Sequence, residues 1–456
     1  MRKPPDLYKK LVVLGGDIVL ILIGISLAVA IRYKPVSVIT YYTGATTFVV
    51  LSFVLCFYIF ELYNVRRRFG GSEFLTHFAV AIVAGTALTG TVFYSVLCWK
   101  FGRGILLLNA VFIALLTCFW RMLFQAFFRL GRKQIRVLIA GAGASGGAIY
   151  NALKENEGYS IVGFVDDDPQ NLKKEIGAHR VIGSSEMIEL LVQHKEIDAV
   201  VVAITCEKKK KLISALLNAK LKGIDIFDME TVYENLTGKL PVDHLQETWL
   251  AYAELRGTGG SIYKLRIKHL ISLVGTFFLL LISLPITLIT ALVIKLNSRG
   301  PVFFRQKRVG VNGKIFEIIK FRSMQQDAET DGAVWAQSND SRVTFVGKWI
   351  RKLRIDEIPQ LWNVFKGEMS LVGPRPERPE FVELLQKTMP FYFIRHVVKP
   401  GITGWAQVNY RYGASEEDAL EKLQYDLYYV KNLSFILDMQ IILKTIRVVL
   451  FGAGAR

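Results

Sequence analysis

Apolar residues gather first into four runs, at about 11–31, 44–63, 74–99 and 105–128, parted by short polar breaks. Each approaches the ~20 residues needed to cross a bilayer core. From about 134 the pattern changes. Short apolar strings such as "IRVLIA" and "IDAVVVAI" stand between stretches of helical periodicity, which predicts buried parallel strands in an α/β domain reaching to about 255. One more apolar run, Ile271–Ile294, carries no charged residue. After 298 the chain breaks into short amphipathic pieces rich in Trp, Phe, Tyr, Lys and Arg, with Gly300-Pro301, Gly310, Gly313 and Gly332 as turns. The pattern predicts a four-helix transmembrane bundle over 1–133, an α/β domain over 134–255, and a third domain over 256–456. The last lies on a membrane surface by amphipathic helices.

Charge adds direction. Lys and Arg number 57 against 39 Asp and Glu, a formal charge of +18, in a chain that is 52% hydrophobic. That pairing fits a membrane protein with cationic cytoplasmic faces. It argues against a nucleic-acid partner, because there is no arginine-rich tail and no zinc-like Cys/His spacing. Basic residues cluster before the first run, after the second (Arg66–Arg68) and after the fourth, placing both ends of the bundle on the cytoplasmic side. Asp17 and Glu61 read as helix-end residues facing headgroups. Cys56, Cys98, Cys118 and Cys206 form no CxxC and no disulfide framework, which suits a reducing face.

The α/β segment opens "IRVLIAGAGASGGAIYNALK". Gly141, Gly143 and Gly146 form GxGxxG between a predicted strand and a predicted helix. Asp166 ends the next strand twenty residues on, where a ribose-binding acid belongs. A Rossmann-like domain follows. Its loop either binds a nucleotide (a dinucleotide, UDP or a UDP-sugar) or is a structural turn.

The run 271–294 is flanked by cations at both ends, and Pro285 falls within it, after Ser283. Proline removes a backbone donor, and a nearby hydroxyl can satisfy a freed carbonyl. The run could be a fifth span, but a re-entrant hairpin over about 268–297, entering and leaving by one face, is expected in preference to a spanning helix.

Candidate chemistry centres on "RIDEIPQLWNVFKGEMSLVGPRPERPE". Asp356 and Glu357 precede a predicted helix begun by Pro359, with Arg351 and Arg354 upstream. A helix N-terminus and neighbouring cations both favour ionised carboxylates, so both pKa values are expected to be depressed. Such a pair suits metal binding or attack on phosphorus. Lys320 and Arg322 in "EIIKFRSM", Arg375 and Arg378 in the stiff "GPRPERP", and Lys399 in "VVKPGITGW" complete a plausible phosphate clamp.

"GPVFFRQKRVG", "FEIIKFRSM", "RIDEIPQLWNVFKGEMSLVGPRP" and "VKPGITGWAQVNY", in this order, resemble the signatures of the monotopic phosphoglycosyl transferases. The resemblance covers about 265–456. With four spans and a Rossmann-like domain ahead, it is to the large, exopolysaccharide-initiating form. It implies that Asp356 attacks the sugar-side phosphorus of a UDP-sugar and releases UMP. Undecaprenyl phosphate then takes the phosphosugar from the aspartyl intermediate. Glu357 would help hold Mg²⁺, while Lys320, Arg351 and the Arg375 turn steady phosphate charge. Ser283 and Pro285 match the break of the family's re-entrant helix, with Leu284 between them where small members have adjacent Ser-Pro. The implied site is the cytoplasmic face of a bacterial inner membrane, among membrane lipids. A homodimer through the soluble domain is a further expectation.

Three rivals stand beside this reading. Tyr150 and Lys154 form Y-x-x-x-K, as in nucleotide-sugar dehydratases, but on the helix directly after the glycine loop. They read as helix-surface residues. A non-catalytic scaffold of a polysaccharide export complex would not need the acid pair. Direct attack by the lipid phosphate would use the carboxylates only as magnesium ligands. His269 and His396 read as core or interfacial histidines.

Overall fold

A computed structural model describes residues 5–32, 43–63, 72–95, 103–129, 134–156, 158–204, 210–244, 263–297, 299–325, 342–410 and 415–451. Arg66–Arg68, Cys98, Cys206 and Gly332 lie outside the described residues. The chain divides into two compact units, Met1–Arg132 and Lys133–Arg456.

The first unit holds α1 (Pro5–Arg32), α2 (Thr43–Ile59), α3 (Ser72–Ser95) and α4 (Arg103–Arg129). Three are long and apolar enough to cross a membrane over Tyr8–Ile31, Phe74–Ser95 and Gly104–Phe127. α2, at 17 residues, is shorter than its apolar run. It stops because Leu62 N donates to Phe57 O at 2.9 Å, with Glu61 in the left-handed region at φ 57°. That is a Schellman-type ending. α1 and α4 approach closely: a Cβ on Gly16 would fall 2.3 Å from the Trp120 ring. Asp17 is not at a headgroup. It is fully buried and takes the Arg121 guanidinium at 2.6 Å, and Arg121 also donates to Leu62 O at the end of α2. A charge inside an apolar bundle needs such a partner. Glu61 does sit at a helix end.

The second unit begins with β1 (Ile135–Ala140), α5 (Ala144–Lys154), β2 (Tyr159–Val165), β3 (Glu175–Ile176) and β4 (His179–Gly183). α6 (Met187–Gln193), β5 (Ala199–Val202), α7 (Lys210–Leu221), β6 (Asp225–Asp228) and α8 (Met229–Thr237) follow. The sheet order is β3-β4-β2-β1-β5-β6, parallel except for the β3–β4 edge. β1 feeds two cores, as a strand buried on both faces must. Val137 and Ile139 pack with Ile149 and Leu153 of α5 on one side; Leu138 and Ala140 pack with Ile188 and Leu212 on the other. Tyr150 is not a surface residue: it is 3% exposed, and its hydroxyl accepts from Ala178 N at 3.0 Å. Lys154 is exposed.

Next come α9 (Lys268–Asn297), the antiparallel hairpin β7 (Phe303–Val309) and β8 (Ile315–Phe321), α10 (Phe345–Lys352) and α11 (Gln360–Phe365). β9 (Ser370–Val372), α12 (Pro379–Thr388), β10 (Gly401–Thr403), α13 (Trp405–Asn409), α14 (Glu416–Lys431) and α15 (Phe435–Phe451) complete the unit, with β9 and β10 paired in parallel. This part is tied to the α/β part. Trp405 Nε1 donates to Gly238 O at 2.8 Å, and Lys239 meets Glu421 at 2.7 Å.

α9 runs unbroken through Pro285 for 30 residues, so the break expected at Ser283 and Pro285 is no gap in the helix. Ser283 Oγ donates to Leu280 O at 3.3 Å. Both ends of α9 are seated. Lys268 binds Asp438 at 2.6 Å and Ser272 meets Ser370 at 3.0 Å, while Ile294 packs with Phe321 and Ile350. Between them Phe278, Ile282, Leu284 and Leu288 are exposed. α10 likewise exposes Phe345 and Trp349.

Candidate active site

The acid pair lies where two short helices cannot join smoothly. Thr344 caps α10, accepting from Gly347 N at 2.9 Å. After Leu353 the chain turns at Arg354, which takes φ 58°, a left-handed conformation uncommon outside glycine. A single 3₁₀ turn, Ile355–Glu357, presents the two carboxylates, and Pro359 then caps α11. α11 has only six residues, so its dipole is a small influence.

Glu357 is enclosed by cations. Its Oε1 lies 2.7 Å from Arg375 Nη2, 3.8 Å from Arg354 Nη1 and 4.0 Å from Lys320 Nζ. Burial opposes its ionisation, but Arg375, Lys320 and Arg354 outweigh burial and hold its carboxyl well below the usual carboxylate range. Asp356 goes the other way. It is 9% exposed, and burial, then the Glu357 charge, raise its pKa against the pull of Lys320, Arg375 and Arg351. The expectation that both carboxylates would be depressed thus fails for Asp356, because desolvation and a like charge dominate there. Asp356 Oδ1 is buried and accepts no hydrogen bond.

Lys320 is carried across the pair by β8, whose place is set by Asn363 of α11. The Asn363 carbonyl accepts from Ile319 N at 3.1 Å, and its amide donates to Glu317 O at 2.7 Å. Burial, then the Arg375 charge, push Lys320 down to about 8. Arg308, on β7, adds to that field. Asn363 and Arg308 were not among the residues expected at the site. Nothing in an NVF tripeptide marks Asn363, and Arg308 reads in the sequence as one flanking cation among several.

The other expected cations do not all converge. Arg322 points its Nη1 at Arg299 O, 3.0 Å away, and so ties β8 to the segment after α9. Lys399 sits at the far end of α11: a Cβ on Gly367 would come within 3.6 Å of its Nζ and 3.7 Å of His269. Arg378 lies 3.6 Å from Glu380 and 5.9 Å from the centre of the Phe381 ring. His396 is buried, with Nε2 unpartnered; burial, then Arg395, lower its pKa to about 3, so it is a neutral core histidine. His269 is exposed.

Among the described residues no group of three or more His, Cys, Asp or Glu could hold a metal. At the acid pair the carboxylates within reach of a cation are Asp356 and Glu357. Mg²⁺ is commonly held by one or two carboxylates plus substrate phosphates, and the unpartnered Asp356 Oδ1 fits that use.

In the α/β part the glycines take distinct roles. Gly141 has φ 115°, and a Cβ on Gly146 would fall 2.1 Å from Gly141 O, so strand and helix meet closely. Around Gly143 a Cβ would meet nothing within 4 Å. Asp166 is turned back into the loop. Its carboxylate accepts from Ala142 N at 2.8 Å, Asp168 N at 2.9 Å and Asn171 Nδ2 at 3.1 Å. These bonds brace the turn.

Residues 263–452 match the bacterial sugar transferase family, and residues 58–227 match a CoA-binding domain. An Aeromonas hydrophila UDP-N-acetylgalactosamine-undecaprenyl-phosphate N-acetylgalactosaminephosphotransferase is 46% identical over 53% of this chain and 56% of its own length. An undecaprenyl-phosphate glucose phosphotransferase from Komagataeibacter xylinus is 34% identical over 72% of this chain and 60% of its own length. A Klebsiella pneumoniae UDP-glucose:undecaprenyl-phosphate glucose-1-phosphate transferase is 34% identical over 72% of this chain and 70% of its own length. The chain thus spans little more than half the length of the first two relatives. With the acid pair, its cations and the order of the motifs in place, the chain belongs to the bacterial sugar transferases, the polyprenyl glycosylphosphotransferase family.

Proposed function

We propose that the protein transfers a phosphosugar from a UDP-sugar to undecaprenyl phosphate, as the first membrane step of exopolysaccharide assembly. The observation that carries this is the contrast within the acid pair: Glu357 Oε1 is ringed by three cations, while Asp356 keeps a buried oxygen with no partner. Asp356 Oδ1 attacks the sugar-side phosphorus. An aspartyl–phosphorus bond forms, the bridging P–O bond breaks, and UMP leaves with the electron pair. An oxygen of the lipid phosphate then attacks the same phosphorus, and the carboxylate departs. A raised pKa makes Asp356 the more basic carboxylate and, once ionised, the better nucleophile. Arg375, Lys320 and Arg354 hold Glu357 still and offer charge to the phosphates of the donor. Asp356 and Glu357 would hold Mg²⁺, which when bound supplies Lewis-acid neutralisation of phosphate charge.

The reading extends to the membrane. At about 1.5 Å per residue a straight 30-residue α9 would span ~45 Å, more than a bilayer core. Its two seated ends and exposed apolar middle favour entry and return through one leaflet, with Pro285 leaving Leu281 O without its helical donor. That leaflet is read as the cytoplasmic one of an inner membrane. Cysteines placed at the exposed positions 266 and 297 should then react with an impermeant maleimide from the same side.

UMP release decides the activity. Membranes carrying the protein, given undecaprenyl phosphate and a panel including UDP-glucose, UDP-galactose and UDP-N-acetylgalactosamine, should release UMP with at least one donor. The names of the relatives point to both glucose and N-acetylgalactosamine phosphates. Without lipid acceptor, a donor labelled in the sugar should label the protein, and Asp356→Asn should not be labelled. Direct attack by the lipid would leave both unlabelled while UMP release needed lipid. For the α/β part, the open space at Gly143 and the match to a CoA-binding domain support a pyrophosphate-bearing nucleotide at the loop. Binding of CoA, UDP or a nicotinamide dinucleotide to the full chain, lost in Gly143→Val, tests it.

A further inference from the structure

The turn that carries Arg375 is held by its carbonyls. Pro374 and Pro376 have no amide hydrogen to give, so fixing this segment falls largely to acceptors. All four in succession are occupied, two by neighbouring residues at the end of β7 and two by more distant segments. Pro374 O accepts from Gly401 N at 2.9 Å, Arg375 O from Arg395 Nη2 at 2.9 Å, Pro376 O from Arg308 Nη1 at 3.0 Å, and Glu377 O from Val309 N at 2.9 Å.

The second of these is made by a buried ion pair. Arg395 and Asp426 are 6% and 2% exposed and meet at 2.8 Å, and Arg395 Nη1 also donates to the Tyr392 hydroxyl at 2.6 Å. Burial opposes a charged guanidinium there, but Tyr392, Asp426 and Glu377 keep Arg395 protonated. Apolar residues of similar volume often stabilise a core as well as a buried pair does. Stability alone therefore does not account for a guanidinium at this place. Its contact with Arg375 O does, because the side chain of Arg375 is the nearest cation to Glu357.

We propose that Arg395, anchored by Asp426 and Tyr392, is the positioning residue that aims Arg375 at Glu357. The proposal rests on the acid pair being the phosphosugar transfer site. Arg395 touches neither carboxylate in this arrangement; it acts through the backbone of Arg375.

A double-mutant cycle tests this. Arg395→Lys keeps the charge but lacks the planar fork that reaches three acceptors. It should lower kcat for UMP release roughly 30- to 100-fold, with KM for the UDP-sugar within about threefold, since misplacement by ~1 Å can cost 10². In an Arg375→Ala background the same substitution should change kcat by less than about threefold. Equal losses in both backgrounds overturn the proposal. Tyr392→Phe removes one acceptor only and carries the same cycle with a roughly three- to tenfold loss, should Arg395→Lys not fold by circular dichroism. If the unsubstituted protein releases no UMP from any donor, the reading of the site fails, and positioning is read from melting instead. The thermal coupling between Arg375→Ala and Glu357→Gln should then disappear in Tyr392→Phe, and coupling that survives there refutes the aim of Arg375.

Discussion

Asp166 and Asp356 resemble one another in the sequence. Each follows an apolar or basic stretch, and each stands where an acid could meet a nucleotide. In the fold they part. Asp166 accepts three hydrogen bonds from its own neighbourhood and closes the glycine loop on itself. Asp356 is buried against cations and a second carboxylate, with Oδ1 left unpartnered. A carboxylate whose lone pairs are mostly engaged locally is a brace. One that is desolvated without filling them carries a cost that a ligand can relieve.

The sharpest test of this contrast is Asp356→Asn, expected to lower UMP release by at least about 10³-fold, as loss of a nucleophile should. Glu357→Gln retains the shape but loses the anchor of three cations; a loss of roughly 10²-fold is expected in the same assay. Next comes pH. Lys320, at about 8 in the folded protein, is a cation only below that value. Activity should fall as pH rises through about 8, close to tenfold per unit, and Lys320→Arg should remove that alkaline limb. The same shift has a stability sign. From about pH 8 up to 10.5 the unfolded chain holds a proton on Lys320 that the folded one has released, so this residue's contribution to stability rises with pH there. The smallest effect on turnover belongs to Asp166→Asn. It should cost about 1–2 kcal/mol in thermal or urea unfolding and leave UMP release within about threefold. A large loss of activity with no loss of stability would erase the distinction between the two acids.

The second unit also shows where local reading stops. The glycine loop was legible because strand, turn and helix are neighbours in the chain, and its close packing at Gly146 needs only those neighbours. The clamp around Glu357 was half legible. Lys320, Arg351 and Arg375 bear on the pair, but Arg322 is engaged by Arg299 O and Lys399 lies beyond α11. Cations within a motif string carry no direction of approach. That comes from strand register and from Asn363, whose carbonyl and amide bind β8 across 44 and 46 residues of chain.

The run lengths, the order of the motifs and the adjacency of Asp356 to Glu357 were determined by the sequence by itself. Hydrophobic spacing and turn chemistry act over a few residues and can be read there. The tertiary structure alone decided which charges are neutralised and which are left open. Asp17 finds Arg121 from 104 residues away, Arg395 finds Asp426, and Glu357 gathers three cations while Asp356 loses solvent. Desolvation and Coulomb terms depend on what lies within a few ångströms in space, and the fold, not the chain order, sets that company.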